Sequence, residues 1–127
     1  MSTNSWVHIV LEGEVGTTPM RYDMFVKRLF KGDTREAMLA HAALGICGEA
    51  GELGDAIKKH IVYGKPLDME NVIEEIGDIR FYLEALCNIL DIHDSQILQA
   101  NVNKLAKRYK DLTYSSAEAI GRADKSC

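Results

Sequence analysis

The sequence predicts an all-α fold: a four-helix bundle with an extended N-terminal arm and a C-terminal tail. Three observations carry the helical reading. From Arg21 onward apolar residues recur at spacings of three and four, the period of a helix. Capping residues and Gly or Pro stops divide that pattern into four segments. After Leu11 no run alternates convincingly as a half-buried strand does. The 127 residues are 46% hydrophobic and 27% charged, a globular balance. A chain of this length buries a core without needing disulfides or a structural metal.

Residues 1–18 make the arm, in which Trp6 to Leu11 reads as a short strand or an extended segment, broken up by Gly13, Gly16 and Pro19. The first helix starts near Arg21 with Tyr22, Phe25, Val26, Leu29 and Phe30 on one side, and Gly32 stands where a C-cap would. Asp33 or Thr34 caps a long second helix that runs to about Tyr63 and is stopped by Gly64 and Pro66. Asp68 caps the third, which carries Val72, Ile73, Ile76, Ile79, Leu83, Leu86 and Leu90. Asp94 or Ser95 caps the fourth, with Ile97, Leu98, Val102, Leu105 and Tyr109 on one side. Residues 113–127 form the tail, and 1–127 reads as a single domain with its core at 21–110.

Charge and composition exclude several classes. Fifteen basic against nineteen acidic side chains leave a formal charge of −4, which argues against a general nucleic-acid binder, whose affinity comes from neutralising phosphates. A small phosphate-bearing ligand held by a local basic patch remains compatible. No run approaches the roughly 18 apolar residues of a membrane span, and the first residues lack the pattern of a signal peptide. A soluble, cytoplasmic protein is expected. Cys47, Cys87 and Cys127 are odd in number and far apart, as in a reducing compartment. Cys47 and Cys87 fall in apolar helical patterns and read as small core residues.

Gly45, Gly48, Gly51 and Gly54 lie three apart inside the second helix, each costing about 1 kcal/mol relative to Ala. Close approach of another backbone or of a ligand would explain them. The same helix holds Glu49 and Glu52, an i, i+3 pair, and the third holds Glu75 and Asp78 at the same spacing. At about 100° per residue, with Ile76 at zero, the apolar stripe of the third helix covers roughly −80° to +60°. Glu75 then falls at about −100°, Tyr82 at about −120° and Asp78 at about −160°, bordering the stripe, while Glu74 faces away. With Ile46 at zero, Glu49 and Glu52 fall at about −60° and −120° on the matching flank. In an antiparallel hairpin four carboxylates converge. Gathered like charges raise their own pKa values or recruit a cation. Oxygen donors without His or Cys favour Mg²⁺, Mn²⁺ or Ca²⁺ over zinc. On the fourth helix Asn101, Lys104 and Arg108 border the apolar side, a point charge and a guanidinium fork suited to a polyphosphate.

On these residues the sequence resembles the MazG-like all-α nucleoside triphosphate pyrophosphatases. The family's EExxE and ExxD motifs read here Gly48-Glu49-Ala-Gly-Glu52 and Glu75-Ile-Gly-Asp78, with Gly48 in place of the first Glu. The Lys58-Lys59 and Tyr-Gly-Lys-Pro-Leu-Asp68 connection, and Asn101 to Tyr109, also fit; the likeness covers about residues 21–110. The tail from Tyr114 to Lys125 is similar to tails of small phage and bacterial members. The resemblance implies hydrolysis of a (d)NTP between its α and β phosphates to (d)NMP and pyrophosphate. It also implies Mg²⁺, for which Mn²⁺ substitutes, held by Glu49, Glu52, Glu75 and Asp78. Glu52 or Glu49 would accept the proton of the attacking water. Tyr82, Asn101, Lys104, Arg108 and Lys125 would bind substrate. A homodimer or homotetramer is implied, working on nucleotide pools, in a host cytoplasm if phage-encoded. Some phage members are dGTP pyrophosphatases that serve genomes carrying 2-aminoadenine.

The base itself is not legible, although Trp6, His8, Tyr22 and Phe25 are candidates to touch it. Two other readings stand beside this one. His93-Asp94, with His41 or His60 and Asp111, could imitate an HD-type phosphohydrolase, but Asp94 is better explained as a helix cap. A non-catalytic helical nucleotide-binding or assembly module would carry the same carboxylates as solvated side chains. No Glu-x-x-His pair and no P-loop occur.

Overall fold

Turn chemistry and side-chain caps set the limits of nearly every element. The computed structural model describes residues 5–125, which divide into two compact units, 5–91 and 92–125. Residues 1–4, 126 and 127, including the start of the expected arm and Cys127, lie outside the described residues.

In the first unit the arm is a β-hairpin. Strand β1 (Trp6–Ile9) pairs antiparallel with β2 (Thr18–Arg21), Trp6 opposite Arg21 and Ile9 opposite Thr18. The expectation of no strand after Leu11 is corrected here. Gly13 and Gly16, at φ of 83° and 93°, make the reversal that L side chains resist. Pro19 is tolerated because a two-stranded sheet has only edges. So short a hairpin needs a platform, and the Tyr22 amide donates to the Ser5 carbonyl at 2.8 Å where the hairpin meets helix α1 (Tyr22–Leu29).

Helix α1 ends at Phe30 rather than Gly32. Gly32 is needed for space instead, since a Cβ there would lie 2.5 Å from Met38 Cγ. Helix α2 (Arg35–Ile61) opens at Thr34, whose hydroxyl accepts from the Ala37 amide at 3.1 Å. Helix α3 (Met69–Leu90) opens at Asp68, which accepts from the Asn71 amide at 3.1 Å. Both caps match the sequence reading. Val26, Phe30, Ala42 and Ala85 form the buried centre, surrounded by Met38, Phe81, Tyr82, Leu86 and Ile89 among others. Asn88 Nδ2 donates to the Asp23 carbonyl at 3.0 Å and ties α1 to α3.

Helix α3 turns inward only one edge of the predicted stripe: Val72 is buried and Ile79 and Leu86 are half-buried. Ile73 is 64% exposed, and Ile76, Leu83 and Leu90 are also exposed, while Glu75, Tyr82, Ala85 and Ile89 are buried or half-buried. The helix is turned by roughly 100° from the expected orientation, about one residue's rotation. Small residues explain it: the α2–α3 seam closes over Gly45, Ala42 and Ala85, and close approach there outweighs burying the branched stripe. Cys47 is likewise exposed, not core, and Cys87 is half-buried.

In the second unit helix α4 (Asp94–Arg108) is capped one residue earlier than expected, by His93, whose amide donates to Gln96 Oε1 at 2.8 Å. The tail is ordered. Ser115 caps a short helix, α5 (Ser116–Gly121), followed by a 3₁₀ turn at Ala123–Lys125. The Lys110 amide donates to Glu118 Oε2 at 2.9 Å, and the Tyr109 and Tyr114 rings lie 5.6 Å apart. Among the described residues no helix is long and apolar enough to cross a membrane.

Candidate metal centre

Helices α2 and α3 come together where one of them has no side chain. A Cβ on Gly45 would lie 2.5 Å from the Tyr82 ring, so that ring packs directly on the α2 backbone. One and two turns on from Gly45 along α2 stand Glu49 and Glu52, and one and two turns back from Tyr82 along α3 stand Asp78 and Glu75. The seam that glycine permits therefore carries the carboxylates with it.

Three of the four meet closely. Glu49, Glu75 and Asp78 each offer an oxygen, and these oxygens all lie within 4.8 Å of one another. Glu49 and Glu75 are half-buried and Asp78 is exposed. Glu52 lies outside this triplet on the exposed side of α2, although its charge still bears on Glu75. Glu75 is held above the usual carboxylate range, first by a hydrogen bond with the Glu49 carboxyl, then by burial and by the charges of Glu49, Glu52 and Asp78. Among the described residues no Lys or Arg forms an ion pair with any of the three. Lys59, whose charge interacts with Glu52, is engaged by Asp55 at 2.9 Å. Three carboxylates from two helices, with no His or Cys, are a donor set for a hard divalent cation, and the residues present fit one. Glu74 is exposed, as the angular reading has it.

The other predicted site residues are placed differently. The Tyr82 ring packs among Phe30, His41 and Phe81 at 6.3, 5.7 and 5.4 Å between centroids, which gives it a packing role. Asn101, Lys104 and Lys125 are exposed in the second unit. Arg108 is paired there: its Nε and Nη2 donate to the two carboxylate oxygens of Asp124 at 2.7 and 3.0 Å. The Asp124 side chain is 1% exposed and that of Arg108 17%.

Two features escaped the sequence reading. Asp124 lies sixteen residues from its partner in a segment without helical periodicity, so no local signal marks it. A cavity of about 300 Å³ opens in the first unit between the hairpin, α1 and α3, lined by Ser5, Val7, Tyr22, Gly77 and Arg80. Gly77, an unforced glycine in the middle of α3, is the signal that could have located it.

Comparison with known proteins agrees with this arrangement. The family model described as MazG nucleotide pyrophosphohydrolase domain matches residues 38–113 and so includes all four carboxylates. The Gene 37 protein of Mycobacterium phage L5 is 37% identical over 75 residues, covering 55% of this chain and 65% of that protein. The match thus spans less than two thirds of the relative's length. No solved structure matches the chain. With paired acidic motifs on adjoining helices inside the matched region, the chain belongs to the MazG nucleotide pyrophosphohydrolase domain family.

Proposed function

We propose that the protein is a Mg²⁺-dependent pyrophosphohydrolase that cleaves a (d)NTP between its α and β phosphates, releasing (d)NMP and pyrophosphate. The observation that carries this reading is the triplet of Glu49, Glu75 and Asp78 oxygens within 4.8 Å, uncompensated by any cation side chain among the described residues. Glu49, Glu75 and Asp78 hold the ion, with Glu52 as a fourth donor or as the base that takes the proton from the attacking water. When bound, a divalent cation screens the phosphate oxygens and acidifies water. Glu49, already sharing a hydrogen bond with Glu75, is the second carboxylate able to accept a proton. Asn101, Lys104, Arg108 and Lys125 are donors for the phosphate chain.

A homodimer or homotetramer belongs to the same proposal, together with the four-helix arrangement that the resemblance implies. The exposed Ile73, Ile76, Leu83 and Leu90 stripe of α3 supports it, since an apolar stripe of this kind is costly to leave in water. The phage relative supports a role in phage nucleotide pools, with dGTP among the substrates to test. The deciding experiment is pyrophosphate release from a panel of natural and modified triphosphates, with and without Mg²⁺. Metal-dependent release with a ranked preference is expected. Silence on every nucleotide at micromolar enzyme makes the protein a nucleotide-binding or assembly module instead.

A further inference from the structure

Arg108 ends α4 with its guanidinium already engaged. Nε and Nη2 donate to the two Asp124 oxygens at 2.7 and 3.0 Å, and only 17% of the side chain remains exposed. The Tyr109 side chain also engages the guanidinium. Lys104, one turn earlier on α4, bears with its charge on the same Asp124 carboxylate. One internal anion therefore faces two cations of a single helix, and it fills the guanidinium fork in the way a phosphate would.

The segment that delivers this anion is lightly held. Neither α5 nor the 3₁₀ turn contains a buried residue, and Ile120 is 82% exposed. Two reversals bring Asp124 back to α4, at Leu112 and Arg122 with φ of 54° and 48°, a conformation that costs any residue with a Cβ. The other fastenings are the Lys110 amide on Glu118 at 2.9 Å and the Tyr109 and Tyr114 rings. The anchorage is thus ionic far more than apolar. A segment with so little buried apolar surface opens locally at low cost, and an ionic anchor yields to a competitor that carries more charge and more oxygens.

We propose that residues 116–125 are a strap that occupies an oxyanion site of their own chain: the Asp124 carboxylate fills the Arg108 fork at rest, and a polyphosphate displaces it and releases the strap. The proposal rests on the pyrophosphohydrolase reading for the chemistry of the ligand, and on the occupied fork for the mechanism. At rest the ion pair is structural. It also raises the ligand concentration that the Arg108 fork requires, because only the open fraction of the chain can bind there.

The test loosens the strap in two ways and watches it open. Affinity of the full-length chain for inorganic tripolyphosphate is measured in Mg²⁺, and amide hydrogen exchange over 116–125 is followed with and without that ligand. Asp124→Asn is expected to tighten tripolyphosphate about three- to tenfold, the factor by which a mostly closed state withholds a site. Loss of a nearby negative charge also favours an anion, so Ser115→Ala separates the two effects. It removes the α5 cap, whose hydroxyl accepts from the Glu118 amide at 3.3 Å, and leaves Lys104, Arg108 and Asp124 in place. This variant is expected to tighten tripolyphosphate about two- to threefold. In the wild type, saturating tripolyphosphate is expected to speed exchange over 116–125. Unchanged exchange at saturation overturns the strap, and so does either variant binding no more tightly than the wild type; weaker binding by Asp124→Asn would show a residue that positions Arg108. A chain that opens the strap but hydrolyses no nucleotide keeps this proposal and loses the hydrolysis. An active chain whose segment stays protected with tripolyphosphate bound loses the strap alone.

Discussion

Glu75 and Asp124 are both carboxylates held against a neighbouring helix, and their surroundings drive them in opposite directions. Glu75 faces Glu49 and Asp78, with Glu52 nearby, and is pushed up. Asp124, almost wholly covered, is gripped by the Nε–Nη2 edge of the Arg108 guanidinium and is pulled down. The second arrangement is complete in itself: charge meets charge, and the pair fastens the tail to α4. The first is incomplete: like charges meet with no Lys or Arg ion pair among the described residues. A self-sufficient ion pair reads as structure, and an uncompensated cluster on rigid helices reads as function.

The sharpest way to break that contrast is to neutralise one member of each pair. Asp78→Asn is expected to reduce pyrophosphate release by about two orders of magnitude or more, the scale of losing a positioned carboxylate, with helicity by circular dichroism retained. Glu74→Gln, on the outward face, is expected to leave turnover near the wild-type value. Near-normal kcat in Asp78→Asn would remove the metal centre from the account.

Next in size is the packing that brings the carboxylates together. Gly45→Ala drives a methyl into the Tyr82 ring and is expected to destabilise by about 1–3 kcal/mol, the range for overpacking. Gly51→Ala, which meets open space on the same helix, is expected to stabilise by about 0.5–1 kcal/mol. Denaturant melts of both variants decide it. Equal effects would mean that the α2–α3 seam is not set at Gly45.

The smallest effects are titrations, and their signs are opposed. Because Glu75 is raised in the folded chain, its share of stability is present in acid and lost as pH rises through that raised value. In EDTA the triplet is therefore expected to weaken the fold as pH rises through that raised value. Mg²⁺ at a hundred times its Kd should restore about 2.7 kcal/mol at neutral pH. Asp124 behaves in reverse. Its pKa is lowered, so its contribution is present above the ordinary Asp value and lost as pH falls through the lowered one. Asp124→Asn is expected to lower the melting temperature at pH 7 by a few degrees and to match the wild type in strong acid. Thermal melts across pH, with and without Mg²⁺, would expose any departure. A triplet whose melt ignores Mg²⁺ would be a solvated acidic face.

Much of the helical layout was legible because its signals are local. Thr34 and Asp68 accept from amides three residues on, and such caps need no tertiary partner to be recognised. The hairpin was hidden because two four-residue strands carry little periodicity, and Pro19 argued against the second. Three of the four expected carboxylates do meet, but for a reason the apolar pattern did not contain. The angular reading put the broad Ile and Leu stripe of α3 inward and the acids at its rim. In the structure Glu49 and Glu75 are half-buried, and Ile73, Ile76, Leu83 and Leu90 face out while Val72, Ile79 and Leu86 stay covered.

By itself the sequence determined where α2 and α3 start, which residue types the four long helical segments carry, and that Glu49, Glu75 and Asp78 recur at helical spacing on adjoining segments. Those properties depend on hydrogen bonds and rotations within a few residues. Tertiary structure alone decided which face of α3 is covered, that Glu52 stands outside the closest group, and that Tyr82 packs. It also decided that Arg108 closes on Asp124 and that Gly77 opens onto a cavity. Each of these depends on contacts between residues far apart in the chain; at the α2–α3 seam the missing side chain at Gly45 sets how near the two helices come.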